Sequence, residues 1–348
     1  MALAPRTRVR LSILAVAVPL AIAVGTVYSL FLHGDLVLAL ADGGVIGGFI
    51  CTVLLSSRLF GPTLTLVRRM RRLPVALVML ASALEILLVV LAGLAVGRVS
   101  SALVRGVPVE IGYQVSSVVF SLAVSAVFVA GTTVDRILGG QVLFGLLTGR
   151  YLRPRREQRA FLFGDLAGST HLAESLGDER FHRFLDEVFC ALAEPVARYR
   201  GTIYRYVGDE TIVTWRLHAG GHALRALHCA LACCEVLAQQ APRFEAAYGV
   251  RPRMRFALHT GPVVTGEMGD LKREIVYLGD TVNTASRLVE LAKQVDRDLL
   301  LSGALLDRVE LPEGLAVQPI ESVVLRGKSQ AVRVYAAAPS DASVGRAA

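Results

Sequence analysis

The hydrophobic and polar positions divide the chain into two stretches. From residue 11 to about residue 135 the pattern is mostly apolar, with charges only at intervals. Four runs stand out: about Leu11 to Leu32, Leu36 to Phe60, Val75 to Gly97 and Val115 to Val134. Each is near the ~20 residues a helix needs to cross the hydrocarbon core of a bilayer. From about residue 150 the pattern changes to short strand-like and helix-like periods. Ala160 to Phe163 form a short apolar strand that ends at Asp165, and Gly168, Ser169 and Thr170 lead into a helical pattern reaching about Tyr199. In "TIYRYVGDETIVTW", two β-rich runs flank Gly208-Asp209, a hairpin signal. An amphipathic helix follows from about His222 to Tyr248. Then come two strands in "RMRFALHTGPVVTGEMG", and a strand, a turn and a helix (about Asp280 to Lys293) in "EIVYLGDTVNTASRLVELAK". Further short strands close the chain. The order β-α-β-β-α-β with additions predicts an antiparallel sheet with helices on one face.

Composition supports the division. The chain is 53% apolar, and its mean hydropathy of +0.53 is too high for an ordinary soluble protein. The expected organisation is a four-span transmembrane domain over 1–135, a juxtamembrane linker or transducer over 136–158, an α+β domain over 159–338 and a flexible tail over 339–348. The soluble part, roughly 190 residues, is long enough for one good core.

The net charge of +8 sits beside the apolar runs, at Arg6, Arg8 and Arg10, at Arg58, Arg68, Arg69, Arg71 and Arg72, and at Arg150, Arg153, Arg155, Arg156 and Arg159. Cytoplasmic loops of membrane proteins carry such arginines, so the chain is expected in the inner (plasma) membrane with both termini cytoplasmic. A nucleic-acid partner is not expected, because that would need basic residues interleaved with aromatics on the soluble face. A cleaved signal peptide would leave the downstream arginines on the wrong side. Glu85 lies inside the third run, where a carboxylate needs a partner or a cavity: either a sensing site or a hydrogen bond within the bundle. Asp42 interrupts the second run. Of the five cysteines, Cys229, Cys233 and Cys234 fall in the apolar pattern of a helix and read as buried free thiols.

Two carboxylates carry the candidate chemistry. Asp165 ends the first strand and Asp209 sits in the hairpin, and a β-α-β-β fold lays that strand beside the hairpin. Converging acids of this kind bind a divalent cation through oxygen. The helix start at Gly168, Ser169 and Thr170 offers backbone N–H groups to an anion.

Three blocks, "FLFGDLAGST", "YRYVGDE" and "GDTVNTASR", resemble in order and spacing the signature blocks of class III nucleotidyl cyclases, over about Arg159 to Ala337. The resemblance implies a ferredoxin-like domain working as a homodimer, with sites at its interface. It implies conversion of ATP to 3′,5′-cyclic AMP and pyrophosphate, with two Mg²⁺ or Mn²⁺ ions per site. Asp165 and Asp209 would hold the metals, with the backbone carbonyl of Leu166. Asn283 and Arg287 would position the ribose and stabilise charge on the α-phosphate, and Lys328, or alternatively Arg326, would bind the triphosphate.

The chain departs from the family at the base. Arg205 stands where adenylyl cyclases usually carry lysine, and Val276 where they carry Asp or Thr; the Glu and Cys of a guanylyl cyclase are also absent. An arginine fork can donate to adenine N1 or to guanine O6. A guanylate or relaxed-specificity cyclase therefore stays open, as does an inactive nucleotide-binding receptor. A transporter built on the four spans is a weaker possibility. What the spans sense, a membrane or periplasmic signal, is not written in the sequence.

Overall fold

A computed structural model describes residues 5–60, 75–108, 115–138, 149–217, 221–271, 273–323 and 331–339. The chain falls into two compact units, Met1–Ile137 and Leu138–Ala348.

The first unit is helical: α1 (Pro5–His33), α2 (Leu36–Ala39), a π-helical turn (Leu40–Gly44), α3 (Val45–Phe60), α4 (Val75–Arg105) and α5 (Val115–Leu138). Leu14–Leu32, Leu36–Ser57 and Leu80–Arg105 are long and apolar enough to cross a membrane; the apolar part of α5, Val115–Gly131, is shorter. Asp42 lies in the π turn, the interruption the sequence marks. Small residues bring α1 and α3 together. A Cβ on Gly25 would lie 2.0 Å from the Gly43 carbonyl oxygen, and one on Gly47 would lie 2.3 Å from that of Ala21. Such close backbone approach is how helices pack where lipid removes the hydrophobic drive. Glu85 accepts a hydrogen bond from the Ser57 hydroxyl, within the bundle.

The second unit is built on one mixed sheet. Its elements are β1 (Arg155–Leu166), α6 (Ser169–Leu176), α7 (Asp178–Arg198), β2 (Thr202–Val207), β3 (Glu210–Arg216), α8 (His222–Tyr248), β4 (Met254–Met268), β5 (Glu274–Leu278), α9 (Asp280–Gln294), β6 (Leu299–Ser302), α10 (Gly303–Leu306), β7 (Leu315–Val323) and β8 (Val332–Pro339). The strand order is β2-β3-β1-β4-β6-β8-β7, and β5 pairs with β4. All pairings are antiparallel except β4–β6. The purely antiparallel sheet expected from the sequence is thus corrected to a mixed one, because β6 joins β4 in parallel.

The helices also lie on both faces rather than one. Along β1, Ala160 and Leu162 join a core with Phe184 of α7 and Leu227 and Phe244 of α8. Phe161 and Phe163 point the other way, onto Ala285, Leu288 and Ala292 of α9. The period-2 alternation of a strand makes this division, and an apolar residue at every position of 160–163 needs cover on both sides. Cys229 and Cys233 are buried in the α8 core and Cys234 is partly buried; all are free thiols.

Near its start β1 carries a buried charge cluster. Arg159 donates to Glu157 at 3.0 Å and to the Tyr151 hydroxyl at 3.2 Å, and stacks 4.5 Å from the Tyr277 ring centre. Arg216 approaches the same carboxylate at 3.2 Å, and the Thr265 hydroxyl donates to it at 3.3 Å. The side chains of Glu157 and Arg159 are each only 3% exposed. Removing one partner of a buried pair strands the other, so Glu157→Ala is expected to cost about 3–5 kcal/mol, read as a lower thermal unfolding midpoint of the detergent-solubilised chain. Replacing Glu157, Arg159 and Arg216 together by apolar residues is expected to cost less than Glu157→Ala alone.

Candidate active site

The site begins where β1 ends. Gly164 lets the strand pass Phe256, since a Cβ there would lie 2.5 Å from that ring. Asp165 follows, paired in register with Glu210 on β3 and with Arg255 on β4, and it is buried. Val207 pairs with Glu210, leaving Gly208 and Asp209 as a two-residue turn. Gly208 has a φ of 59°, a left-handed conformation that glycine adopts without strain. Strand pairing thus gathers Asp165, Asp209 and Glu210.

A fourth group completes the cluster. Lys293, in the last turn of α9, places Nζ 2.9 Å from Asp165 Oδ1. Burial raises the Asp165 pKa, Lys293 pulls it down, and Asp209 adds to the rise. Glu210 is pushed up to about 7, chiefly by burial and then by Asp165, with Lys293 opposing. Three carboxylates share one ammonium here, so the cluster attracts cations. Among the described residues no group of three or more His, Cys, Asp or Glu side chains is arranged to hold a metal. Magnesium usually takes one or two carboxylates and keeps several waters, so the hard oxygens of Asp165 and Asp209 fit it without a full protein cage.

The remaining sequence-predicted residues lie elsewhere. Leu166, the last residue of β1, is buried. Gly168, with φ 69°, is the N-cap of α6, so Ser169 and Thr170 sit in its first turn. Asn283 is exposed and Arg287 partly exposed on α9. The start of α9 is pinned by the Thr281 hydroxyl, which donates to the Pro262 carbonyl at 2.7 Å; Gly261 leaves room for it. At a rise of ~1.5 Å per residue, Asn283 lies about 15 Å along the helix from Lys293, and Arg287 about 9 Å. One chain therefore does not bring Asn283 to its own Asp165. Arg205, on β2, pairs with Glu274 on β5. Val276 is partly buried two residues further on. Lys328 and Arg326 lie outside the described residues.

Residues 153–337 match the sequence profile of the adenylate and guanylate cyclase catalytic domain. The chain belongs to this cyclase family. Adenylate cyclase 2 of Rhizobium meliloti (strain 1021) is 40% identical over 216 residues, 62% of this chain and 60% of that protein. Adenylate cyclase 1 of the same organism is 31% identical over 183 residues, 52% of this chain and 27% of its own length. The chain thus spans less than two thirds of these relatives. A bacterial light-regulated adenylyl cyclase structure shares the fold, with a TM-score of 0.54 and 18% identity over 65% of each chain.

Three residues that the structure sets beside the sequence-predicted ones escaped the sequence reading: Glu210, Lys293 and Glu274. Glu210 had a signal, since it adjoins Asp209 in "GDE" at a strand start. Lys293 and Glu274 had none, because their partners are 128 and 69 residues away.

Lys293 is about half exposed, so solvent screens its pairing. In the presence of a chelator, Lys293→Met is expected to lower stability by about 1 kcal/mol at low salt. The difference should shrink as pH falls below about 7 and Glu210 takes up its proton. The sign for Glu210 itself is set by its raised folded pKa. From 4.5 to about 7 the folded chain holds a proton that the unfolded chain has lost, so its contribution to stability falls as pH rises through that window. Chelator-treated unfolding curves at pH 5, 6, 7 and 8, with Glu210→Gln as the comparison, check both statements.

Proposed function

We propose that the chain is a membrane-bound adenylate cyclase that converts ATP to 3′,5′-cyclic AMP and pyrophosphate at the interface of a homodimer. The observation that carries this is the division of the family's residues along α9. Asp165 and Asp209 lie beside Lys293 at its C-terminal end, while Arg287 and Asn283 are carried toward its start, about 9 and 15 Å along the helix from Lys293. Two copies related by a two-fold axis would put the carboxylates of each against Asn283 and Arg287 of the other, giving two equal sites. The adenylate cyclases of Rhizobium meliloti support ATP as the substrate.

On this reading the ATP 3′-oxygen bonds to the α-phosphorus, the bridge to the β-phosphorus breaks and pyrophosphate leaves. Asn283 holds the ribose so that the attack is in line. Arg287 sets fixed positive charge against the oxygens of the transferring phosphoryl group. Lys328 or Arg326, with the α6 start at Gly168, Ser169 and Thr170, takes the triphosphate. Mg²⁺ or Mn²⁺ held by Asp165, Asp209 and the Leu166 carbonyl would supply Lewis acidity to the 3′-hydroxyl and shield the leaving group.

The rest of the reading concerns the fold and the membrane. The β1-to-β4 portion is a ferredoxin-like βαββαβ core, supported by its strand order and antiparallel pairing. The catalytic domain runs over 159–338 behind a juxtamembrane transducer, 136–158. The helices before it are a four-span anchor in the inner membrane with both termini cytoplasmic, supported by three long apolar helices and the placement of the arginines.

Product analysis from ATP and GTP in parallel, with Mn²⁺, tests the substrate; cyclic AMP is expected to dominate, and equal or greater cyclic GMP would overturn ATP. Asp165→Ala and Arg287→Ala are each expected to reduce product by about a hundredfold to a thousandfold, and co-expression of the two should restore part of it. No restoration would refute sites shared between copies.

A further inference from the structure

Resting on the adenylate cyclase reading, we propose that Glu274 sets base specificity, accepting a hydrogen bond from the purine 6-amino group while Arg205 donates to the neighbouring ring nitrogen. Position 276 cannot do this, because a valine side chain carries no polar atom. Arg205 cannot do it alone, because a guanidinium offers only donors. Beside Arg205 the structure supplies the missing acceptor: the Glu274 carboxylate takes a hydrogen bond from its Nη2.

The place suits the role. Glu274 opens β5, and strand alternation puts residues 274 and 276 on the same face. The acceptor has moved two residues along the strand, about 7 Å, and the long glutamate and arginine side chains can span such a shift. The pair is open to a ligand, with side chains 43% and 35% exposed.

Arg205 is held from below. Its guanidinium lies 5.2 Å from the Tyr204 ring centre, Tyr204 meets Tyr277 edge-on at 4.7 Å, and Tyr277 meets Phe161 at 5.4 Å. Phe161 belongs to the sheet core, so the aromatic chain ties the arginine to buried, packed side chains. Glu274 also balances its charge. An unbalanced arginine beside ATP would be drawn to the phosphates; one paired with a carboxylate stays turned to the base. Together the pair presents a donor beside an acceptor, the complement of adenine's N1 and 6-amino group.

The test compares ATP with purine riboside 5′-triphosphate, which differs only in carrying hydrogen in place of the 6-amino group. The full chain in membranes is assayed for kcat/KM on both. Wild type is expected to favour ATP by roughly tenfold to a hundredfold, the worth of a hydrogen bond to a charged acceptor. Glu274→Ala should bring the ratio near one. Glu274→Gln, whose side-chain carbonyl still accepts, should retain part of the preference. A mere ion-pair partner of Arg205 would lower the rate on both substrates and leave the ratio alone, so an unchanged ratio in Glu274→Ala overturns the assignment. A wild type that turns over no ATP overturns the underlying adenylate cyclase reading as well, and it is recognised before any variant is compared.

Discussion

The site depends on a buried carboxylate at the end of a strand held on both edges and both faces. β1 is paired along both edges, with β3 and β4, and its apolar run is covered on both faces by helices. Asp165 closes that strand at 5% exposure. Burying a carboxylate is unfavourable unless a counter-charge is near, and Lys293 from α9 provides it. The same helix that covers one face of β1 therefore also sets the charge at its tip. Rigidity and electrostatics come from one packing arrangement.

That arrangement makes α9 a ruler. Its start is fixed against β4 by the contact of Thr281 with Pro262, its body is packed on the sheet through Ala285, Leu288 and Ala292, and its end carries Lys293 to Asp165. Asn283 and Arg287 are carried between those two points at a distance the chain cannot change without unpacking Ala285, Leu288 and Ala292. A helix packed along its length separates the two groups of candidate residues instead of gathering them. On the proposed dimer, this separation is what makes each chain half of two sites, so assembly and catalysis become one condition.

The sequence reading reached what is local. The hairpin tip at Asp209, the strand end at Asp165 and the i, i+4 spacing of Asn283 and Arg287 are all written within a few residues. It missed what arises from pairing across the fold. Lys293 meets Asp165, and Glu274 meets Arg205, only because β1, α9, β2 and β5 are neighbours in space. The double-sided cover of β1 had a legible trace. "AFLF" is apolar at every position, where a strand covered on one face would alternate; the expectation of helices on one face gave that trace too little weight. The parallel β4–β6 pairing had no such trace, since a short apolar run such as Leu299–Leu301 is compatible with either direction.

Exposure separates the ion pairs by what they can do. Glu157 and Arg159, at 3% each, are locked in place, and breaking such a pair leaves an uncompensated charge in the interior. Lys293–Asp165 and Arg205–Glu274 each have at least one partner near half exposure. Solvent screens the exposed partner and weakens such a pair, so Lys293 or Arg205 can give up its contact at small cost to the fold when a ligand or a cation takes its place beside the carboxylate. One of these pairs lies at the carboxylate cluster and the other at the position read as facing the base. The chain thus keeps its strong pair where the sheet needs it and its weak pairs where a nucleotide and its cations would have to compete with them.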